Sequence, residues 1–286
     1  MHGILIAKGV AFMIIDTHVH IGRMLNFNMT EEQVLYSMEK YGISFSLVSN
    51  IECAENDHKG RQIPGLIMKH HSMNKVFEKT LSFARKNSDR IGVLIWLKPR
   101  TEQPDEKFRQ LLASNRDLIY GFKLHPFHSR TAPDSDRLEA FYKLAAEYKL
   151  PIVSHTGGCD EASSERLYNA AKSHPELDFV MVHMDLGTDN KNALDLLGKL
   201  PNLYGDTTWV PVSTTLEAVK RFGSTKILFG SDNPIDGKDT YLHNKTGKRS
   251  LYQEYFNEFE SMVSHDDYEN IMSRNAIRIF NINKFS

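Results

Sequence analysis

The feature that most restricts the fold of this chain is an alternation. Apolar runs recur eight times, each followed by a stretch with helical periodicity. After a first run that begins at Met13, they span Ile43 to Ile51, Ile91 to Leu97, Ile119 to Leu124, Pro151 to Ser154, Phe179 to Val182, Leu203 to Thr208 and Lys226 to Phe229. Each is apolar along its length rather than at every second position, as strands covered on both faces must be. Strict β-then-α order implies a parallel sheet. Eight units predict a TIM-like (β/α)8 barrel. The open, doubly wound alternative is weakened because the first βα turn has no Gly-x-Gly-x-x-Gly.

The first helix is expected from Thr30 to Tyr41, with Thr30 and Gln33 as a capping box and Gly42 as its stop. Later helices are expected within Leu66 to Lys86, from Asp105 to Asn115, Asp134 to Tyr148, Ser163 to Ser173, Ala193 to Leu200 and Thr215 to Phe222. Two more, Ser250 to Val263 and Asp267 to Phe280, close the chain. No linker or low-complexity tract interrupts the 286 residues, so one domain is expected over 13–286, after a short extension over 1–12.

Composition excludes more than it assigns. Net charge is −1 and the basic residues form no stripe, which predicts neither nucleic-acid binding nor attachment to an anionic membrane. No apolar span approaches the ~20 residues of a membrane helix. The two cysteines, Cys53 and Cys159, are too few for a disulfide framework, and a reducing cytoplasm is the expected compartment. The expected partners are a small-molecule substrate and, at most, a second copy of the chain.

The strand ends carry the chemistry. In a parallel barrel all C-terminal strand ends open on one face, where active sites form. His18 and His20 end the first strand, two residues apart and so on one side of it. Lys123 and His125 end the fourth strand, His155 the fifth, His183 the sixth, and Asp232 follows the eighth. Five of the thirteen histidines therefore stand at strand ends. A buried imidazole must satisfy two ring nitrogens, and several that converge are most simply ligands of a cation. The adjacent pair His70 and His71 diverges by about 100° around a helix and is expected at the surface.

These motifs resemble the amidohydrolase superfamily, above all its amidohydrolase-related branch, which includes aminocarboxymuconate-semialdehyde decarboxylase-like proteins. The residues that carry the resemblance are Asp16-Thr-His18-Val-His20, Gly121-Phe-Lys123-Leu-His125-Pro126, His155, His183, Gly230-Ser-Asp232-Asn-Pro234 and Asn275-Ala276-Ile-Arg-Ile-Phe280. The resemblance implies that His18, His20, His155 and Asp232 hold one divalent ion: zinc first, with manganese or iron as alternatives. A second ion would involve His183 and Lys123. Imidazoles and a carboxylate suit zinc, which acidifies the water it holds. Asp232 is then the expected general base, and His183 a second ligand or a polarising group. Asp232 as a helix cap and His183 as a core histidine are the plain structural alternatives.

Lys123 has three readings: a carboxylated bridge between two ions, a substrate or supporting contact, or packing. TatD-like nucleases place a glutamate there, which argues against phosphodiester chemistry. His125, Arg23, Arg130 and Trp209 are candidate substrate contacts, with Arg100, His128 and Asp236 behind them. Together they would give a mouth rich in cations. Asp185 is expected to bond a ligand histidine or substrate, and 234–249 to form a lid or a long connection. The activity expected first is hydrolysis of an amide, cyclic amide or lactone. Non-oxidative decarboxylation of an unsaturated or aromatic acid is the alternative, and a catalytically silent metal-binding barrel the third reading.

Overall fold

The computed structural model describes residues 13–235 and 251–283. The expected extension over 1–12, Asp236 and most of the expected lid lie outside them. Among the described residues nine strands form one curled sheet: β1 Ile14–Met24, β2 Phe27–Met29, β3 Ile43–Asn50, β4 Ile91–Trp96, β5 Ile119–Leu124, β6 Ile152–Gly157, β7 Phe179–Leu186, β8 Leu203–Asp206 and β9 Ile227–Leu228. Apart from β2 they run parallel in chain order. Beyond β9, the chain closes the barrel on β1. Thr17 N–H donates to Phe229 O at 3.0 Å, Asp232 N–H to His18 O at 2.8 Å, and His20 N–H to Asn233 O at 2.9 Å.

The sheet separates two layers of core. Inside, Ile15, Phe45, Leu47, Leu94, Val180 and Leu228 pack with Ala276, Ile279 and Phe280 of the last helix, Asn275–Phe280. Outside, alternate residues of the same strands, such as Val93, Ile95, Phe179 and Met181, meet the helices. Both faces are covered, hence the unbroken apolar runs.

Three expectations are corrected. The antiparallel β2 was not anticipated: three residues are too short for a pattern, and the hairpin depends on Leu25 at φ +58°. The single helix expected within 66–86 is two, Gly65–His70 and Met73–Lys86. In the break, His71 is drawn half inside, its Nδ1 3.4 Å from the Glu52 carboxylate; His70 is exposed. The sixth expected strand continues past Val182 as a bulge, with His183, Met184 and Asp185 all at positive φ. The capping box at Thr30 and Gln33 is present. Among the described residues no helix is long and apolar enough to cross a membrane.

Candidate metal centre

Strict alternation along β1 would put Ile15 and His18 on opposite faces. The pairing of β1 with β3 slips between Asp16 and Val19. This bulge turns His18 and His20 inward, while Val19 and Ile21 join the outer core. Asp16 braces it. Its Oδ1 accepts from the main-chain N–H groups of His18 and Ser231, each at 3.1 Å, and its Oδ2 accepts from the Ser231 hydroxyl.

Three donor atoms converge above this seam. His18 Nε2 and His20 Nε2 stand 2.9 Å apart. Asp232 Oδ1 lies 3.0 Å from His20 Nε2 and 3.5 Å from His18 Nε2. Metal–nitrogen distances of about 2.0–2.1 Å give tetrahedral edges of about 3.3 Å, so donor type and spacing both fit a divalent ion.

The surroundings prepare the lone pairs. Thr208 Oγ1 donates to Asp206 Oδ2 at 2.7 Å, which leaves it free to accept from His18 Nδ1 at 3.2 Å. His18 then carries its proton on Nδ1 and its lone pair on Nε2. Ser49 Oγ lies 2.8 Å from His20 Nδ1 and serves the second imidazole in the same way. Gly230 is required beside them, because a Cβ there would stand 2.6 Å from Thr208 Oγ1 and 3.1 Å from His18 Cβ. Burial keeps His18 and His20 below the ordinary imidazole pKa, with the Lys123 charge adding to the effect.

Lys123 is fully buried, with Nζ 2.9 Å from His18 Nε2, the atom an ion would use. Burial lowers its ammonium to about 8. His183 presents Nδ1 to the Thr208 carbonyl at 3.2 Å; a carbonyl only accepts, so Nε2 is an acceptor. Burial lowers His183 to about 4. Its left-handed backbone is held by Asp206, which accepts the His183 N–H at 3.0 Å, and by Asn190, which donates to the His183 and Met184 carbonyls.

The trio opens into a cavity of about 220 Å³. One wall is a stack of parallel rings: Trp96 on His125, with centroids 5.0 Å apart, and His125 on His155 at 4.0 Å. His183 follows at 4.7 Å from His155. Phe27, Ile51, Phe127, Leu186 and Ile235 supply apolar lining, and His58 and His128 stand among them. His125 Nδ1 is buried with no partner among the described residues. Among the described residues no lysine or arginine is in its lining, although Lys123 stands behind His18.

The expected site residues thus separate. His18, His20 and Asp232 form the compact trio. His155 faces the same cavity, but its Nε2 lies 3.3 Å from the Gly157 carbonyl and its ring belongs to the stack. His125 and His128 line the cavity. Among the described residues the expected mouth rich in cations is not found around it. Arg100 and Arg130 line a separate groove, and Arg23 is exposed, its N–H donating to Glu52 at 3.0 Å. Trp209 donates from Nε1 to Asp232 Oδ2 at 2.8 Å and so orients the carboxylate. Asp185 accepts from the Ser164 N–H at 2.9 Å and from its hydroxyl, anchoring the bulge to a helix start instead of touching a ligand histidine.

Asp206, Thr208, Ser49 and Trp96 were not anticipated. Asp206 and Thr208 end the weak seventh run and could have been found by asking what stands at every strand end. Ser49 and Trp96 carry no signal beyond lying in apolar runs.

The chain belongs to the amidohydrolase family, whose model matches residues 15–282. No protein of curated function matches it in sequence. Solved structures share the fold. A 2,6-dihydroxybenzoate decarboxylase from Rhizobium is 14% identical with a TM-score of 0.66, over 95% of this chain and 99% of that one. A 5-carboxyvanillate decarboxylase from Novosphingobium aromaticivorans, complexed with manganese, is 9% identical with a TM-score of 0.68, over 95% and 96%. A probable 2-pyrone-4,6-dicarboxylic acid hydrolase from Acinetobacter baumannii is 14% identical with a TM-score of 0.62, over 94% and 99%.

Proposed function

We propose that this chain is a metal-dependent enzyme that removes carbon dioxide from a small aromatic or unsaturated carboxylic acid. The carrying observation is the cavity lining: flat stacked rings and apolar side chains around the metal trio. A planar acid fits such a slot. Its carboxylate, stripped of water, loses the solvation that stabilises it more than the charge-dispersed transition state. The manganese-bound and dihydroxybenzoate-acting structures of the same fold lend support.

In this reading His18, His20 and Asp232 hold the ion, and zinc, manganese or iron would serve. Such an ion supplies Lewis-acid polarisation of a substrate oxygen. His125 meets the substrate through its partnerless Nδ1. The bond between ring carbon and carboxyl carbon breaks, its electron pair stays on the ring carbon, and carbon dioxide leaves. Asp232 accepts a proton from an ionisable group of the bound acid and delivers it to that carbon. Hydrolysis of a lactone or amide is the second reading, favoured by His183, whose acceptor Nε2 could take a proton from attacking water.

The test is to load the protein with zinc or manganese and offer hydroxylated benzoates and pyrone lactones. Carbon dioxide released in equal amount with product supports the proposal. A ring-opened product without carbon dioxide replaces it with the second reading. No turnover of any substrate leaves the catalytically silent barrel. Asp232→Asn is expected to lower turnover by about 10²–10⁴-fold; a fully active variant overturns both catalytic readings.

A further inference from the structure

The arginines missing from the cavity are gathered beside it. Arg100 lies beyond β4, Arg130 and Arg137 beyond β5, and Arg166 in the helix Ser164–Ser173 beyond β6. All four therefore stand on the rim onto which the metal cavity opens. They line a groove of about 660 Å³ with two carboxylates, Asp134 and Glu161. Four guanidinium groups face two acids, so the groove has an excess of positive charge in a chain whose net charge is −1.

The arginines are not equally occupied. Arg166 is committed, 3.3 Å from Asp134 and 3.1 Å from Asp160. Arg130 is loosely paired, 3.7 Å from Glu161, and is held by shape: its guanidinium lies 4.8 Å over the Phe127 ring, and a Cβ on Gly60 would stand 2.6 Å from its Nη2. The guanidinium groups of Arg100 and Arg137 have no carboxylate within 4 Å among the described residues; Glu55 takes only the Arg100 main-chain N–H, at 3.4 Å. The Arg137 guanidinium donates to the Arg100 carbonyl at 3.3 Å, and that of Arg100 to Asn56 Oδ1 at 3.5 Å. Two guanidinium forks without an acid, beside a third that is fixed in place, form a receptor for an oxyanion. Phe127 is the shared wall, with its ring in the cavity lining and Arg130 stacked upon it.

We propose that this groove is a second ligand site, separate from the metal centre, which binds a phosphate or polycarboxylate group through Arg100, Arg137 and Arg130. That anion is either the far end of a substrate whose planar head fills the cavity or a separate effector.

Pyrophosphate and citrate are the probes, titrated calorimetrically into the full-length protein at low salt. To keep the metal centre out of the reading, the Asp232→Asn variant is titrated after treatment with a chelator. Saturable binding at millimolar concentration or below is expected, with affinity reduced at least tenfold in Arg100→Ala/Arg137→Ala. Unchanged melting temperature and circular dichroism would show that the loss is local. No saturable binding of either anion, or equal binding by the double variant, overturns the proposal. Once a turned-over substrate is in hand, a raised KM at unchanged kcat in the double variant identifies the anion as a substrate tail. A pyrophosphate effect on rate that substrate does not compete away identifies an effector. This test does not depend on the reaction catalysed.

Discussion

A single proton placement prepares the metal centre. His18 offers its Nε2 lone pair because Thr208 accepts from Nδ1, and Thr208 can accept because its own proton goes to Asp206. Thr208→Val keeps the shape of the side chain and removes the acceptor. Metal affinity is expected to fall about 10–100-fold, measured by competition with a chromogenic chelator, while the melting temperature of the metal-free protein changes little. An unchanged affinity would show that the nearby Asp206 carboxylate, 3.6 Å from His18 Nδ1, suffices alone. The three converging donors, His18, His20 and Asp232, were legible as candidates in the sequence because imidazoles and a carboxylate at strand ends are rare and costly. Their supports were not: a threonine or serine becomes a support only through the partner that folding brings to it, as Ser49 does for His20.

At the scale of elements, the alternation of apolar runs predicts the strands and their order, because burial on both faces leaves a mark at every position. Bulges leave no such mark. The slip in β1 between Asp16 and Val19 and the left-handed run His183–Asp185 decide where three imidazoles point, and both depend on hydrogen bonds to residues far along the chain. Asp16 is the clearest case. Asp16→Ala would leave the Ser231 N–H and hydroxyl and the His18 N–H without this acceptor. A loss of about 3 kcal/mol or more in unfolding free energy is expected, at about 1–3 kcal/mol for each of the three buried groups left unsatisfied, read by urea denaturation of the metal-free protein. A loss below about 1 kcal/mol would place the bracing of the seam elsewhere. The break at His71 and the strand Phe27–Met29 were hidden for a related reason: each is only two or three residues long, too short for a repeating pattern to show.

For the molecule as a whole, the barrel was legible and the course of its rim was not. Arg100 and Arg130 follow strands that end at the cavity, yet the loops carry them outward to the neighbouring groove. Where a loop residue goes depends on local turns, such as Arg130 itself at φ +50°, and not on the strand it follows.

The closure of the barrel also has a topological meaning. The first strand and the turn after the last one meet at the metal trio, and the partners across that seam are 212 residues apart for Thr17 and Phe229. An ion shared by His18, His20 and Asp232 is therefore a cross-link that closes a loop of nearly the whole described chain. On the chain-entropy estimate for such a link, it withdraws up to about 5 kcal/mol of freedom from the unfolded state. An ion held there would double as the clasp of the barrel, joining its first strand to the turn after its last.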